Sequence, residues 1–142
     1  MTRDDFNALA TEAKGRSPSW FDQVERPVHA DQVAALERTL EVTLPNDFRA
    51  FLLDHGAGYF GAAIILSADQ SSDWYIPARG RHAFISRGFV AISDDEAGGF
   101  YGFECQSGVC GKAVFYWYPD EIDEPKQVAA SFYDWAAENA PP

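Results

Sequence analysis

The sequence predicts an α+β fold, a mostly antiparallel sheet with helices packed on one side and at the rim. Three observations predict it. Apolar residues at helical spacing fall before Gly56 and again after Ser131. Between them lie β-prone runs, at Ala62–Leu66, Phe89–Ile92, Phe100–Cys105 and Ala113–Tyr118, bounded by glycine-rich or polar turns. A chain of 142 residues fits one domain, so helices and strands share one core.

The first helix opens at Thr2, with Asp5 three residues on in a capping-box-like arrangement. Phe6, Leu9, Ala10 and Ala13 follow at helical spacing, and Gly15 and Pro18 end it. Its apolar face is small, so loose docking is expected. Trp20 and Phe21 then anchor a linker to the edge of the core. A second helix begins after Val28, with Gln32 placed to cap it and Val28 placed to staple to Val33. Val33, Leu36 and Leu40 form its stripe, and Glu37 points elsewhere.

The central element is Leu44–Pro45–Asn46–Asp47–Phe48–Arg49–Ala50–Phe51–Leu52–Leu53–Asp54–His55–Gly56. Pro45 suits a first helical position, where its missing N–H costs nothing. Asp47 complements the helix dipole in the first turn. Phe48, Phe51 and Leu52 share one face. Gly56 supplies the left-handed residue that closes the helix. This helix is expected at the centre of the core, with Phe51 fully buried.

Gly58–Tyr59–Phe60–Gly61 reads as a glycine-aromatic loop, Ala62–Leu66 as a buried strand and Asp69–Asp73 as a polar loop. Trp74–Tyr75–Ile76 reads as an edge strand stopped by Pro77. Arg79, Arg81, His82 and Arg87 form the only basic cluster. No glycine-rich strand-to-helix turn accompanies it, so a solvated loop is the reading. Ser93–Gly99 is an acidic turn without the ligand pattern of a calcium loop. In the strand that follows, Tyr101, Phe103 and Cys105 share a face. The turn at Ser107–Gly108 returns the chain to Ala113–Tyr118 as a hairpin. Cys105 and Cys110 flank that turn and can face each other. The N-terminus shows no secretory signal, so a reducing compartment and free thiols are expected. Pro119–Pro125 is an acidic loop, and Lys126–Ala129 a short strand. Ser131, with Asp134 three residues on, opens the last helix, whose apolar side is Phe132, Trp135 and Ala136.

The chain carries no Gly-x-Ser-x-Gly elbow, phosphate loop or dinucleotide fingerprint. His29, His55 and His82 are scattered without metal-ligand spacing. The expectation is therefore no catalytic residue, no cofactor, no metal, and no enzymatic activity. The formal charge is −11, with −3 in residues 1–88 and −8 in residues 89–142. Such a chain repels phosphate backbones, which argues against nucleic acid, and attracts basic partners. No apolar run approaches the length of a membrane helix, so no membrane association and a cytoplasmic location are expected.

The order of the pieces resembles the SUKH superfamily, in its Smi/Knr-like group. The resemblance rests on Val28–x–x–x–x–Val33–x–x–Leu36–Glu37, then Leu44–Pro45 with Phe48, Phe51–Leu52–Leu53 and His55–Gly56. It continues through Phe89–Asp95 with Gly99–Phe100–Tyr101, Val114–Phe115–Tyr116–Trp117, and Ser131–Phe132. It covers Val28 to Asn139, leaving residues 1–27 as a helix and linker outside the family core of one domain spanning 1–142. The family often has Gly-Asp where this chain has Gly99–Phe100, so no role is carried to that site. The resemblance implies an immunity protein that binds and neutralises a polymorphic or contact-dependent bacterial toxin, with a nuclease as the expected target. The alternative it implies is a regulatory or scaffolding module related to fungal cell-wall-synthesis regulators. A third reading, from another class, is a ligand binder using the sheet face. The acidic second half suits a basic toxin. The candidate partner-binding residues are Asp94, Asp95, Glu96, Asp120, Glu121, Asp123 and Glu124, with Tyr101 and Trp117 as aromatic anchors.

Overall fold

Thr2 caps helix α1 (Arg3–Arg16), its hydroxyl accepting the Asp5 N–H. The computed structural model describes residues 1–79, 87–120 and 124–142. Phe6, Ala10 and Ala13 lie on the inner face of α1 and are buried. The Phe6 ring sits against Phe51, Phe60 and Tyr133, stacking on the last at 4.7 Å. Polar groups clamp the same helix. The Arg3 guanidinium donates to both oxygens of Asp54, at 2.7 and 2.6 Å, and the Asn7 amide adds a third bond at 3.0 Å. His55 stands between Lys14 at 3.2 Å and the Asn7 carbonyl at 2.6 Å. Burial, then the Lys14 charge, pushes His55 down to about 4, so it is neutral at pH 7. The expectation of loose docking is thus corrected. The apolar face of α1 is short, but one large ring fills the centre of the core.

A 3-10 turn, Pro18–Phe21, follows, with Phe21 edge-on to Phe60 and Trp20 exposed. Helix α2 (Ala30–Leu40) begins where the Gln32 carbonyl accepts the His29 N–H at 2.8 Å, and it buries Val33, Leu36 and Leu40. Glu37 turns away from that stripe and accepts the Leu44 N–H, which fixes the entry to helix α3 (Asn46–Asp54). Pro45 caps α3 in extended conformation, one residue earlier than expected. Phe48, Phe51 and Leu52 are buried as their spacing predicts. Gly56, at φ +77, closes the helix, its N–H donating to the Leu52 carbonyl.

The glycine-aromatic loop is a strand. β1 (Gly58–Phe60) pairs with β2 (Ala63–Ile65) in a tight hairpin, because Tyr59 and Phe60 alternate across the ribbon. Trp74–Tyr75–Ile76 is not an edge strand. Tyr75 makes only an isolated bridge to Ser67, and Ile76 starts a short helix α4 (Ile76–Arg79), where Pro77 is tolerated in the first turn. Of the basic cluster, Arg81 and His82 lie outside the described residues. Arg79 covers the Trp74 ring at 4.6 Å.

Strands β3 (Phe89–Asp94), β4 (Phe100–Gln106), β5 (Val109–Cys110), β6 (Val114–Trp117) and β7 (Lys126–Ala129) follow. The seven strands form one sheet in the order β1-β2-β3-β4-β6-β7, with β5 paired to β4, and every pairing is antiparallel. Helix α5 (Phe132–Asn139), capped by Ser131, closes the chain against the sheet. The α+β reading therefore holds. Phe48 links the layers, lying 5.7 Å from Phe103 of β4 and 5.1 Å from Phe132 of α5.

Cys105 and Cys110 are direct cross-strand partners in β4 and β5, as their spacing predicts, and they are joined by a disulfide. The expectation of free thiols is corrected. Compartment alone carries that expectation, whereas a hairpin with the two cysteines five positions apart holds their side chains in contact wherever the chain resides.

Candidate functional site

Register brings the two acidic loops together. Asp94 pairs with Phe100, and Phe100 pairs with Trp117, so the ends of β3 and β6 lie in one row across the start of β4. The turn from β3 to β4 and the chain leaving β6 therefore emerge at the same end of the sheet. Their contact is direct, since a Cβ on Gly98 would stand 3.0 Å from the Tyr118 ring.

The turn is held by its own carboxylates. Asp94 Oδ1 accepts the Glu96 N–H at 2.7 Å. Asp95 Oδ1 accepts the N–H groups of Ala97 and Gly99, each at 2.8 Å, and Asp95 Oδ2 accepts the Tyr116 hydroxyl at 2.6 Å. A side chain on Gly99 would overlap both Asp95 and Tyr116, so glycine leaves the room this bridge needs. Burial alone would push the Asp95 carboxyl up. The bonds from Tyr116, Ala97 and Gly99 together more than offset it and hold the group below the ordinary aspartate value. The same bond, above all, holds the Tyr116 phenol well above its ordinary value. Asp95 is thus a brace for the turn and points inward to β6.

The remaining candidates divide by accessibility. Glu96, Asp120 and Glu124 are exposed, and Asp94 is half-buried. Glu121 and Asp123 lie outside the described residues. Tyr101 is half-buried between Tyr116 at 4.8 Å and Trp135 of α5 at 5.0 Å. Burial, then the Asp95 charge, raises its phenol. Trp117 is 2% exposed, edge-on to Phe89 at 5.4 Å and under the Arg87 guanidinium at 4.5 Å. As an aromatic anchor for a partner, Trp117 is therefore corrected to a packing residue, since Phe89 and Arg87 already occupy its ring. Tyr101 is also chiefly occupied by packing. Tyr118, half-buried where the two loops meet, is a further aromatic at this end that the sequence reading does not single out. The signal for it was the Gly98–Gly99 pair, which marks a close approach by another group.

What the arrangement offers is one exposed carboxylate, Glu96, on a braced turn, with Asp120 and Glu124 exposed on the neighbouring loop and Tyr118 between them. Among the described residues no group of three or more His, Cys, Asp or Glu side chains is placed to hold a metal ion, and no helix is long and apolar enough to cross a membrane. On the sheet face nearby, Arg87, Glu104, Lys112 and Phe115 border a hollow of about 850 Å³.

The brace has a measurable consequence. Asp95→Ala removes the acceptor for three donors, and the expected loss is about 1–2 kcal/mol at pH 7. Because the folded-state carboxyl is depressed, that stability is present above the unfolded value near pH ~4 and fades as pH falls through the folded value. Chemical denaturation at pH 7 and pH 3 checks it. A gap between wild type and variant that persists undiminished at pH 3 contradicts the charge-based account.

The profile of the SMI1-KNR4 cell-wall family, SUKH_6, matches residues 30–135. No curated protein matches the sequence.

Proposed function

The chain belongs to the SMI1-KNR4 cell-wall family of the SUKH superfamily, and from that premise we propose that it is an immunity protein that binds and neutralises a bacterial toxin, a nuclease. The observation that carries the reading beyond the family is the convergence of the two acidic loops. Glu96, Asp120 and Glu124 present solvated negative charge at one end of a sheet whose turn is rigidly braced by Asp95. A nuclease surface that binds phosphates is basic, and carboxylates arranged on a fixed frame compete for it. Charge at this rim speeds encounter, while Tyr118 at the junction supplies contact area. The protein acts here by occlusion and performs no catalysis. No resident cofactor enters the reading. The partner is a basic toxin protein, and neither nucleic acid nor membrane is engaged directly.

Membership of a family described by the cell wall favours one second reading, a regulatory or scaffolding module of cell-wall synthesis. Co-expression with the product of the adjacent gene separates the two. A stoichiometric complex in which the partner's nuclease activity is lost supports immunity. A neighbouring product with full nuclease activity in the presence of excess protein sinks the toxin-neutralising reading.

A further inference from the structure

A second feature lies on the helical side of the molecule. Residues of helices α2 and α3 and of the N-terminus line a groove of about 550 Å³, within the range of small-molecule sites. Its apolar lining includes Val33, Ala34, Ala50 and Leu53, and Tyr133 of α5 lines it as well. Tyr133 is 2% exposed, and its hydroxyl is the one buried side-chain polar atom without a hydrogen-bond partner among the described residues. Native cores leave few such groups, because an orphaned hydroxyl forfeits the bonds it made to water. The ring cannot swing away to find a partner, since it is stacked on Phe6. Burial, then the charges of Asp47 and Asp54, pushes its phenol up to about 12, so it remains a neutral hydroxyl at pH 7.

The charged groups around the groove decide the sign of its ligand. Arg3 is engaged by both oxygens of Asp54, and Arg49 is engaged by Asn46 and Glu37. The N-terminal ammonium stands 3.7 Å from Asp134. The Asp47 carboxylate, which also lines the groove, has no hydrogen bond or ion pair among the described residues. Among the described residues lining the groove, the charged group without a partner is therefore the Asp47 carboxylate, and the buried hydroxyl without one is that of Tyr133.

We propose that this groove is a binding site for a small organic cation with an apolar body, whose ammonium donates to the Asp47 carboxylate and the Tyr133 hydroxyl while the body lies on Val33, Ala34, Ala50 and Leu53. The site is separate from the acidic end of the sheet, and neither proposal needs the other. A cation of this shape satisfies both open groups and removes apolar surface from water at the same time. An anion of the same shape meets Asp47 unfavourably.

Phenethylammonium and phenylacetate share a body and differ in charge, so the pair tests the assignment. The protein, labelled with nitrogen-15, is titrated to millimolar ligand by NMR. The expected result is saturable shifts at Ala34, Asp47, Ala50 and Leu53 with phenethylammonium and none with phenylacetate. Asp47→Asn and Tyr133→Phe each weaken that binding roughly tenfold, as loss of a bond to a charged group does. Tyr133→Phe is expected to melt no lower than wild type, because it deletes an unpaired hydroxyl, so its loss of binding is not a loss of fold. Equal shifts with both ions, shifts confined to Asp94, Glu96 and Asp120, or unchanged affinity in both variants each overturn the proposal.

Discussion

Phe51→Ala lowers stability by about 3–5 kcal/mol, the range for truncating a buried phenylalanine. Phe51 is 1% exposed and is the ring on which four others meet. Phe132 lies 5.0 Å away, Phe60 5.4 Å, His55 5.1 Å and Phe6 5.8 Å, so the site borrows its walls from α1, β1, the end of α3 and α5. Those walls belong to different elements that are each fixed elsewhere, and the gap cannot close by moving one of them. The expected drop in melting temperature is roughly 10–20 °C. Val109→Ala, at a side chain 60% exposed on β5, serves as the control and is expected to change little. Equal melting points for the two variants would place the centre of the core elsewhere.

Phe6→Ala is expected to cost about as much, 3–5 kcal/mol, although it sits in a helix outside the family match. The ring is fully buried and stacks on Tyr133 at 4.7 Å, so its loss leaves a void under α5 as well as under α1. The polar clamp of Arg3, Asn7 and Lys14 on Asp54 and His55 does not compensate, because it holds the rim of α1 and not its centre. A second variant separates the two contributions. Arg3→Ala removes an exposed ion pair and is expected to cost no more than about 1 kcal/mol. Urea denaturation of both variants is the check. A Phe6→Ala protein as stable as Arg3→Ala would show that α1 is only tethered at its rim.

The core helix was legible because three signals agreed in one stretch. The stripe of Phe48, Phe51 and Leu52, the acidic first turn and Gly56 after the last turn all pointed to the same segment. The weight of α1 was not legible, since a face of three residues says nothing about whether its one large ring reaches the centre of the core. β1 was missed because glycine and aromatic residues serve turns and strands alike, and only pairing with β2 decides between them. At the sheet end, the charge of the two loops was plain in the sequence. Their adjacency depended on long-range register, Asp94 with Phe100 and Phe100 with Trp117, which composition does not encode. The roles of neighbouring acids were likewise hidden. Asp95 braces the turn while Glu96 is solvated, and only the position of Tyr116 on the next strand separates them. Trp117 looked like an anchor by residue type, but an interior strand flanked by β4 and β7 leaves its ring no surface.

The central claim is that the acidic end of the sheet meets a basic toxin. Stopped-flow association with the partner, at low and high salt, tests it most directly. The variant is Glu96→Lys with Asp120→Lys and Glu124→Lys, three exposed side chains without a side-chain hydrogen bond or ion pair among the described residues, with Asp95 left intact. Rim charge acts mainly on the on-rate, so the reversal is expected to slow association by about tenfold or more at low salt and to flatten its salt dependence, with a smaller change in dissociation. Equal association rates for the folded variant and wild type at low salt would contradict the account.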